Sequence, residues 1–154
     1  MPTCRTKSHG DIAYTEDVLM HFPEGLFGFE GETRFLPIEV PALHPILFLQ
    51  SVQRPDLCFV TMPILVVDPE YRLALSPADR KLADLPAGRQ PVIGEDVLCL
   101  TILTLRKDGP TTANLIAPLV VNLRNRRAVQ ALVCEGEYSH RHMFPAAEPE
   151  AVCS

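Results

Sequence analysis

The sequence predicts a mainly β protein, either a small antiparallel β-barrel or a barrel-like sandwich, with one short helix near residues 77–85. Apolar runs of strand length recur at short intervals and are separated by turn residues. The 154 residues include 15 prolines and only 21% charged residues, which disfavours long solvated helices. At this length, a hydrophobic fraction of 47% suits a single domain with its own core.

The first half of the chain reads as strands joined by turns. Residues 17–40, "DVLMHFPEGLFGFEGETRFLPIEV", begin as a strand, turn at "FPEG" and resume as a strand. In that turn, Pro23 and Gly25 occupy the second and fourth places of a β-turn. The runs "HPILFLQSV" and "LCFVTMPILVV" are separated by the polar turn "QRPD", which predicts a hairpin of two strands.

The predicted helix lies in "YRLALSPADRKLADLPAG". Ser76 is suited to accept backbone N–H groups as an N-cap, and Pro77 suits the first helical position. Leu82 and Leu85 are three residues apart and would face the core. Pro86 and the glycine that follows it should end the helix.

The second half predicts a buried central strand and a further hairpin. From Val97 to Leu105 almost every residue is apolar or Thr, so both faces of this strand should be covered. Two more strands follow, "TTANLIAPLVVNL" and "AVQALVCE", joined by "RNRR". Asn125 tolerates the positive φ that a tight hairpin needs, and Pro118 should lie at an edge or a bulge.

The termini differ in composition from the predicted domain. Residues 1–11 are expected to be a flexible segment, and residues 145–154 a disordered tail. The chain has no secretory signal and no apolar run approaching the ~20 residues that span a bilayer, so we expect a soluble cytoplasmic protein. Five cysteines without a CxxC pair indicate reduced thiols rather than a disulfide framework.

Two other functional classes have weaker support from the residues. His140 and His142, with Cys134 nearby, suggest a metal site or a small hydrolytic β-barrel enzyme, but no fourth ligand or known spacing accompanies them. No GxSxG, P-loop or HExxH motif is present. Arginines 124, 126 and 127 suggest an RNA-binding module, but the net charge of -5 argues against a broad positive field. The structural alternative for "RNRR" is a solvated hairpin tip without a binding role.

Charge is distributed unevenly along the chain. Residues 11–39 contain seven acidic side chains against Arg34 alone, an excess of six negative charges. Between Arg106 and Arg141 the balance reverses, with six basic residues against three acidic ones. Such segments are most often solvated surface, and they become functional when a partner has the complementary charge.

Five stretches occur together in an order that resembles one known family. They are "FPEGLFGFE", "LFLQS", "PDLCFV", "TTANLIAPLVVN" and "EYSHRH", and together they resemble the flagellar assembly factor FliW family over about residues 12–143. The resemblance implies a single β-barrel domain over residues 12–144, without enzymatic activity or cofactor. We further expect a protein that is a monomer when free and binds neither membrane nor nucleic acid.

The resemblance also implies two protein partners. Such a protein binds newly made flagellin in the cytoplasm, and flagellin export frees it to bind the translational regulator CsrA. CsrA then releases flagellin mRNA, which relieves the repression of its translation. An acidic segment fits this role, because carboxylates complement a basic RNA-binding protein.

Candidate residues for the two partners follow from these stretches. Acidic side chains near turns are expected to contact CsrA: Glu24, Glu30 and Glu32. Residues of "TANLIAP" and "LQS" are expected to contact flagellin: Asn114, Leu115, Ile116, Gln50 and Ser51. Leu115 and Ile116 would line an apolar groove for an amphipathic helix, with Asn114 anchoring a backbone group. The alternative is structural, because Asn and similar side chains at bends usually bond their own backbone.

Overall fold

The computed structural model describes residues 1–133 and 138–143. Its strands are β1 Thr3–Arg5, β2 Asp11–Ala13, β3 Met20–His21, β4 Arg34–Glu39, β5 Leu47–Ser51, β6 Cys58–Pro63, β7 Val97–Thr104, β8 Thr112–Ala113, β9 Leu119–Asn122, β10 Ala128–Gln130 and β11 His142–Met143. Its α-helices are α1 Ile64–Val67 and α2 Pro77–Leu82, and short 3-10 helices form at Glu16–Val18 and Pro41–Leu43. No helix in these ranges is long and apolar enough to span a membrane.

One curled antiparallel sheet forms the body of the protein. Its strands follow the order β10-β9-β7-β6-β5-β4-β3, with β8 also paired to β7 and β11 paired to β8. The two outer strands come together at one bridge, where His21 donates its N–H to the carbonyl of Arg126 at 3.0 Å. The predicted barrel-like, mainly β fold is confirmed, although one bridge does not make a continuous closed barrel.

Strand β7 is the centre of this sheet, as its apolar sequence predicts. One face of the strand packs Val97, Cys99 and Leu103 into a core with both α-helical segments. The other face directs Leu98 and Leu100 into a second core, which includes phenylalanines of the preceding strands. Because both faces are covered, the strand can be apolar at consecutive positions.

The N-terminal segment differs from the prediction of a flexible stretch over residues 1–11. Strand β1 pairs with β2 in register Thr3↔Ala13, and Cys4 is buried at 1% exposure. Cys4 packs with Tyr14, Leu19 and Leu36 in a third small core. A single small apolar residue among polar ones gives no period-two pattern, so the sequence does not reveal this strand. The predicted tail over residues 145–154 lies outside the described residues.

Helix α2 confirms the predicted start and corrects the predicted end. The Ser76 hydroxyl accepts the N–H of Asp79 at 3.1 Å, as expected for an N-cap. The helix ends at Leu82, because Asp84 adopts a positive φ of 59°. The Leu85 N–H then returns to the carbonyl of Arg80 at 2.8 Å, which is a Schellman cap. Leu85 still reaches the core, as predicted.

Two other local predictions need correction. The predicted strand "LCFVTMPILVV" is a strand only to Pro63, after which α1 forms with Ile64 and Val67 buried. In the hairpin between β9 and β10, the positive φ belongs to Arg126 at 64° and not to Asn125. Asn125 instead uses its side-chain oxygen to accept the N–H of Arg127 at 3.0 Å.

Candidate partner-binding surfaces

Residues 22–33, here called the acidic loop, form a compact connection between β3 and β4. Phe22 and Leu26 are buried and anchor the loop in the second core. The N–H of Gly25 bonds the carbonyl of Phe22 at 2.8 Å, which confirms the predicted β-turn. Leu26 and Phe29 then exchange backbone hydrogen bonds at 3.3 and 2.7 Å. The loop therefore has a defined backbone from which its polar side chains project.

The surface of the acidic loop combines carboxylates with an exposed aromatic ring. Phe27 is 54% exposed, and Glu24 and Glu30 are exposed beside it in sequence. The backbone N–H of Phe27 donates to Oε1 of the buried Gln130 at 2.7 Å. Glu32 differs, because its Oε1 accepts the hydroxyl of Ser51 at 2.6 Å. Oε2 of Glu30 accepts the N–H of Gly28 at 3.1 Å within the loop. Glu24 and Glu30 are thus exposed to a partner, whereas Glu32 bonds a residue outside the loop.

Gln50 and Ser51 are buried, which corrects their assignment to a binding surface. Both residues are 0% exposed. The Gln50 side-chain amide donates into a group of turn carbonyls, with Nε2 3.0 Å from the carbonyl oxygen of Arg54 and 3.1 Å from that of Leu57. Ser51 Oγ accepts the N–H of Arg54 at 3.0 Å. These side chains fix the turn between β5 and β6, as the structural alternative predicts.

Leu115 is also buried, while its neighbours are partly exposed. Leu115 is 1% exposed in the first core, so it does not line a surface groove. Its carbonyl accepts the hydroxyl of Tyr71 at 2.6 Å, and the ring of Tyr71 packs on Tyr138 with centroids 4.3 Å apart. Tyr138 therefore closes the fold from the C-terminal side. Asn114 and Ile116 are half-buried and remain available from the predicted flagellin set.

Asn114 organises the bend that precedes β9. Its Oδ1 accepts the N–H groups of Ile116 and Ala117 at 3.2 and 3.1 Å, so the expected local satisfaction of an Asn at a bend is observed. The carbonyl of Asn114 accepts the hydroxyl of the buried Thr101 at 2.8 Å. Pro118 follows the bend directly and leads into β9, and its carbonyl accepts the N–H of Ala131 at 2.9 Å. Proline thus lies at the start of the strand, where no ladder donor is needed.

Asn114 also lines a surface depression, here called the polar cleft, with a volume of about 450 Å³. The other lining residues come from β7, β8 and the segments around them: Ile102, Thr104, Arg106, Thr112, His140 and Arg141. Pairing of β8 with both β7 and β11 brings these distant positions together. Sequence reasoning identified Asn114 and His140 separately, but it did not place Arg106 beside them.

A second depression, here called the apolar cleft, has a volume of about 290 Å³. It is lined by Pro63, Leu65, Ile93, Gly94, Val97, Leu98, Cys99 and Leu123. Leu65 is 37% exposed and Leu123 45% exposed. Sequence reasoning missed this surface because Leu65 lies in α1, where a strand was predicted, and Leu123 begins the hairpin loop.

Of the hairpin arginines, Arg124 and Arg127 are exposed and Arg126 is half-buried. Arg124 lies 3.2 Å from the carboxylate of Asp84, and the Nε of Arg127 lies 3.4 Å from the carbonyl of Leu82. The loop connects β9 to β10, which confirms the predicted hairpin tip. Arg124 and Arg127 therefore connect the tip to the end of α2.

The predicted metal ligands do not form a complete set in the described part of the chain. Residues 1–133 and 138–143 contain no group of three or more His, Cys, Asp or Glu side chains able to hold a metal ion. Cys134 lies outside the described residues. Burial raises the pKa of the Cys4 and Cys58 thiols, and it raises the pKa of Cys99 to about 12. These three cysteines are therefore neutral thiols with little nucleophilic character.

Comparisons with known proteins agree in fold and sequence. A family model described as FliW protein matches residues 3–144. A flagellar assembly factor FliW from Geobacillus kaustophilus is 37% identical over 145 residues, covering 91% of this chain and 94% of the relative. The corresponding protein from Bacillus licheniformis is 33% identical, covering 87% and 90%. A crystal structure of the flagellar assembly factor FliW superposes with a TM-score of 0.81 at 30% identity, covering 93% and 96% of the two chains.

Proposed function

Because the chain belongs to the FliW family of flagellar assembly factors, we propose that it is a non-enzymatic cytoplasmic adaptor with two alternating protein partners. It binds flagellin, and after flagellin export it binds the translational regulator CsrA and relieves repression of flagellin mRNA. The supporting observation is the family match over residues 3–144.

The acidic loop is the proposed surface for CsrA. An RNA-binding protein presents basic groups where phosphates bind, and Glu24 and Glu30 offer carboxylates to the same groups. Phe27, which lies between them in sequence, adds exposed apolar area to the loop, which suits a contact that excludes water. Glu32 contributes less as a direct contact, because its carboxylate already accepts a hydrogen bond from Ser51.

The bend at Asn114 and Ile116 is the proposed surface for flagellin. Both residues are half-buried and present polar and apolar groups side by side. Leu115, Gln50 and Ser51 are buried and are therefore not direct contacts of this proposed surface. The partner contact then depends on residues of the bend that remain accessible.

Binding assays with purified flagellin and CsrA from the same bacterium test the proposal. We expect the chain to form a complex with each protein, and to release a flagellin leader RNA from CsrA. Free flagellin should prevent that release. If neither protein binds in size-exclusion chromatography or biolayer interferometry, the proposal is wrong.

Charge reversal tests the acidic loop separately. The double variant Glu24→Lys, Glu30→Lys should slow CsrA association and weaken its dependence on salt. The melting temperature should change little, because the one hydrogen bond lost is the exposed bond from the Gly28 N–H to Glu30. The matched control is Glu16→Lys, Glu70→Lys, which makes the same charge change at exposed positions outside the loop. If both double variants slow association equally, net charge rather than the acidic loop controls binding.

A further inference from the structure

The polar cleft concentrates cationic groups in a protein of net charge -5. Arg106 and Arg141 are exposed at its rim beside the exposed His140, and none of the lining residues within the described ranges is acidic. The ion pairs seen among the described residues use Arg54, Arg89 and Arg124, all outside this cleft. The cationic side chains of the cleft therefore lack an acidic partner within the described part of the chain.

The orientation of the Asn114 amide adds a donor to this surface. Its Oδ1 accepts two backbone N–H groups, from Ile116 and Ala117, and these bonds distinguish the oxygen from the nitrogen. The Nδ2 group has no acceptor among the described residues, and the side chain lines the cleft. The bend thus fixes a side-chain N–H donor beside the arginines.

The other polar side chains of the cleft are hydroxyls, which can also donate. Thr104 and Thr112 face each other across the β7–β8 pair, and both line the cleft. Arginine offers planar paired donors that match the two oxygens of a carboxylate. A ligand for such a surface must be an acceptor with negative charge.

We propose that the polar cleft binds a carboxylate presented by an acidic peptide segment, with Arg106 and Arg141 as cationic donors and the Asn114 amide as a positioned neutral donor. The assignment of this peptide to a partner protein rests on the proposed flagellin surface, because Asn114 belongs to both that surface and the polar cleft. The cleft volume of about 450 Å³ suits a short stretch of peptide. Among residues 1–133 and 138–143, its lining contains no Phe, Tyr or Trp on which a nucleic-acid base would stack, which favours a peptide over RNA.

The matched variant for this inference is Asn114→Asp. An aspartate keeps the oxygen that accepts the N–H groups of Ile116 and Ala117, so the bend and the melting temperature should be preserved. It replaces the donor in the cleft with a negative charge, which should repel a carboxylate. Asn114→Ala removes both functions and therefore cannot separate them.

The probe is a fluorescein-labelled peptide, Gly-Glu-Leu-Glu-Gly-Leu-Glu, measured by fluorescence anisotropy with the full chain at low salt. We expect saturable binding that Asn114→Asp weakens about tenfold or more, and that Arg106→Gln with Arg141→Gln also weakens about tenfold. Arg124→Gln, at a paired arginine outside the cleft, should leave binding unchanged. Loss of binding on C-terminal amidation identifies the terminal carboxylate as the ligand, and loss on Glu→Gln substitution in the peptide identifies the side chains.

Three results would overturn the inference. The first is an affinity that none of the cleft variants changes, and the second is equal binding of a peptide with Lys in place of Glu. The third is preferential, arginine-dependent binding of a single-stranded RNA. Flagellin capture without peptide binding contradicts this inference alone, whereas peptide binding without flagellin capture contradicts the proposed function alone.

Discussion

Gln50 provides a sharp test of whether a buried polar side chain serves the fold or a partner. Its Nε2 lies within hydrogen-bonding distance of four turn carbonyl oxygens, at 3.0 to 3.3 Å, while its Oε1 is buried without a partner among the described residues. An amide nitrogen has two hydrogens, so it makes at most two full hydrogen bonds at one time. Gln50→Leu keeps a similar volume and removes those donors.

The expected loss of stability follows from these contacts. Two hydrogen bonds contribute about 2 kcal/mol at a net value of about 1 kcal/mol each. Leucine offsets roughly half of this, because it removes the unpaired Oε1 and adds buried apolar area. The net cost is therefore about 1 kcal/mol, which lowers the melting temperature by roughly 2 to 4 °C in a domain of this size.

Thermal and urea unfolding of three variants tests this reasoning. Gln50→Glu should lose clearly more stability than Gln50→Leu, because it directs a carboxylate towards carbonyl oxygens instead of a donor. Gln53→Leu, at an exposed position in the same turn, should change stability by less than about 0.5 kcal/mol. An unchanged melting temperature for Gln50→Leu, combined with lost partner binding, would refute the structural role.

Further predictions concern backbone fit, charge pairing and the link between surfaces. Gly25 has a φ of +70°, and a Cβ added there would lie 2.5 Å from the carbonyl oxygen of Glu30, so Gly25→Ala should destabilise the protein strongly in urea unfolding. Gly28 has a φ of +86° but open space around it, so Gly28→Ala should lower the free energy of unfolding by only about 1 kcal/mol. Hydrogen bonds from the Arg89 side chain and, to a smaller extent, from the Val92 N–H lower the pKa of Asp96 to about 2. The stability that these bonds contribute is therefore present above the ordinary pKa of an aspartate and is lost as pH falls towards 2. Arg89→Gln should raise that pKa in a carboxyl NMR titration and make the melting temperature fall less steeply below pH 4; an unmoved titration contradicts the pairing. Gln130→Leu should change the affinity of the acidic loop for CsrA. An affinity equal to that of the unsubstituted protein would contradict this prediction.

The sequence predicts elements well where local chemistry and tertiary packing agree. The apolar run from Val97 to Leu105 predicts a central strand because few other environments cover both faces. Ser76 predicts the start of α2 because its cap bond is local. The end of α2 was less predictable, since Asp84 takes a positive φ that usually favours glycine or asparagine.

The candidate site was predicted less well because it depends on burial and strand pairing. Polar Gln50 and Ser51 look like surface residues in sequence, yet both are fully buried where they fix a turn. Leu115 follows Asn114 directly but points into the core. Arg106 joins the same cleft only through the pairing of β8 with β7. No local pattern reports these relationships.

A hydrogen-bonded path connects the two proposed partner surfaces, which lie on different elements of the sheet. Asn114 Oδ1 accepts the N–H of Ala117 at 3.1 Å, and the carbonyl of Ala117 accepts Nε2 of Gln130 at 3.3 Å. Oε1 of Gln130 then accepts the N–H of Phe27 in the acidic loop at 2.7 Å. The two ends of one buried amide are therefore engaged with two different surfaces. Such a path is a physical route for coupling, and coupling between two binding partners must be reciprocal in their affinities. Under the proposed exchange of flagellin for CsrA, coupling through this amide does not require the two partners to touch the same residues.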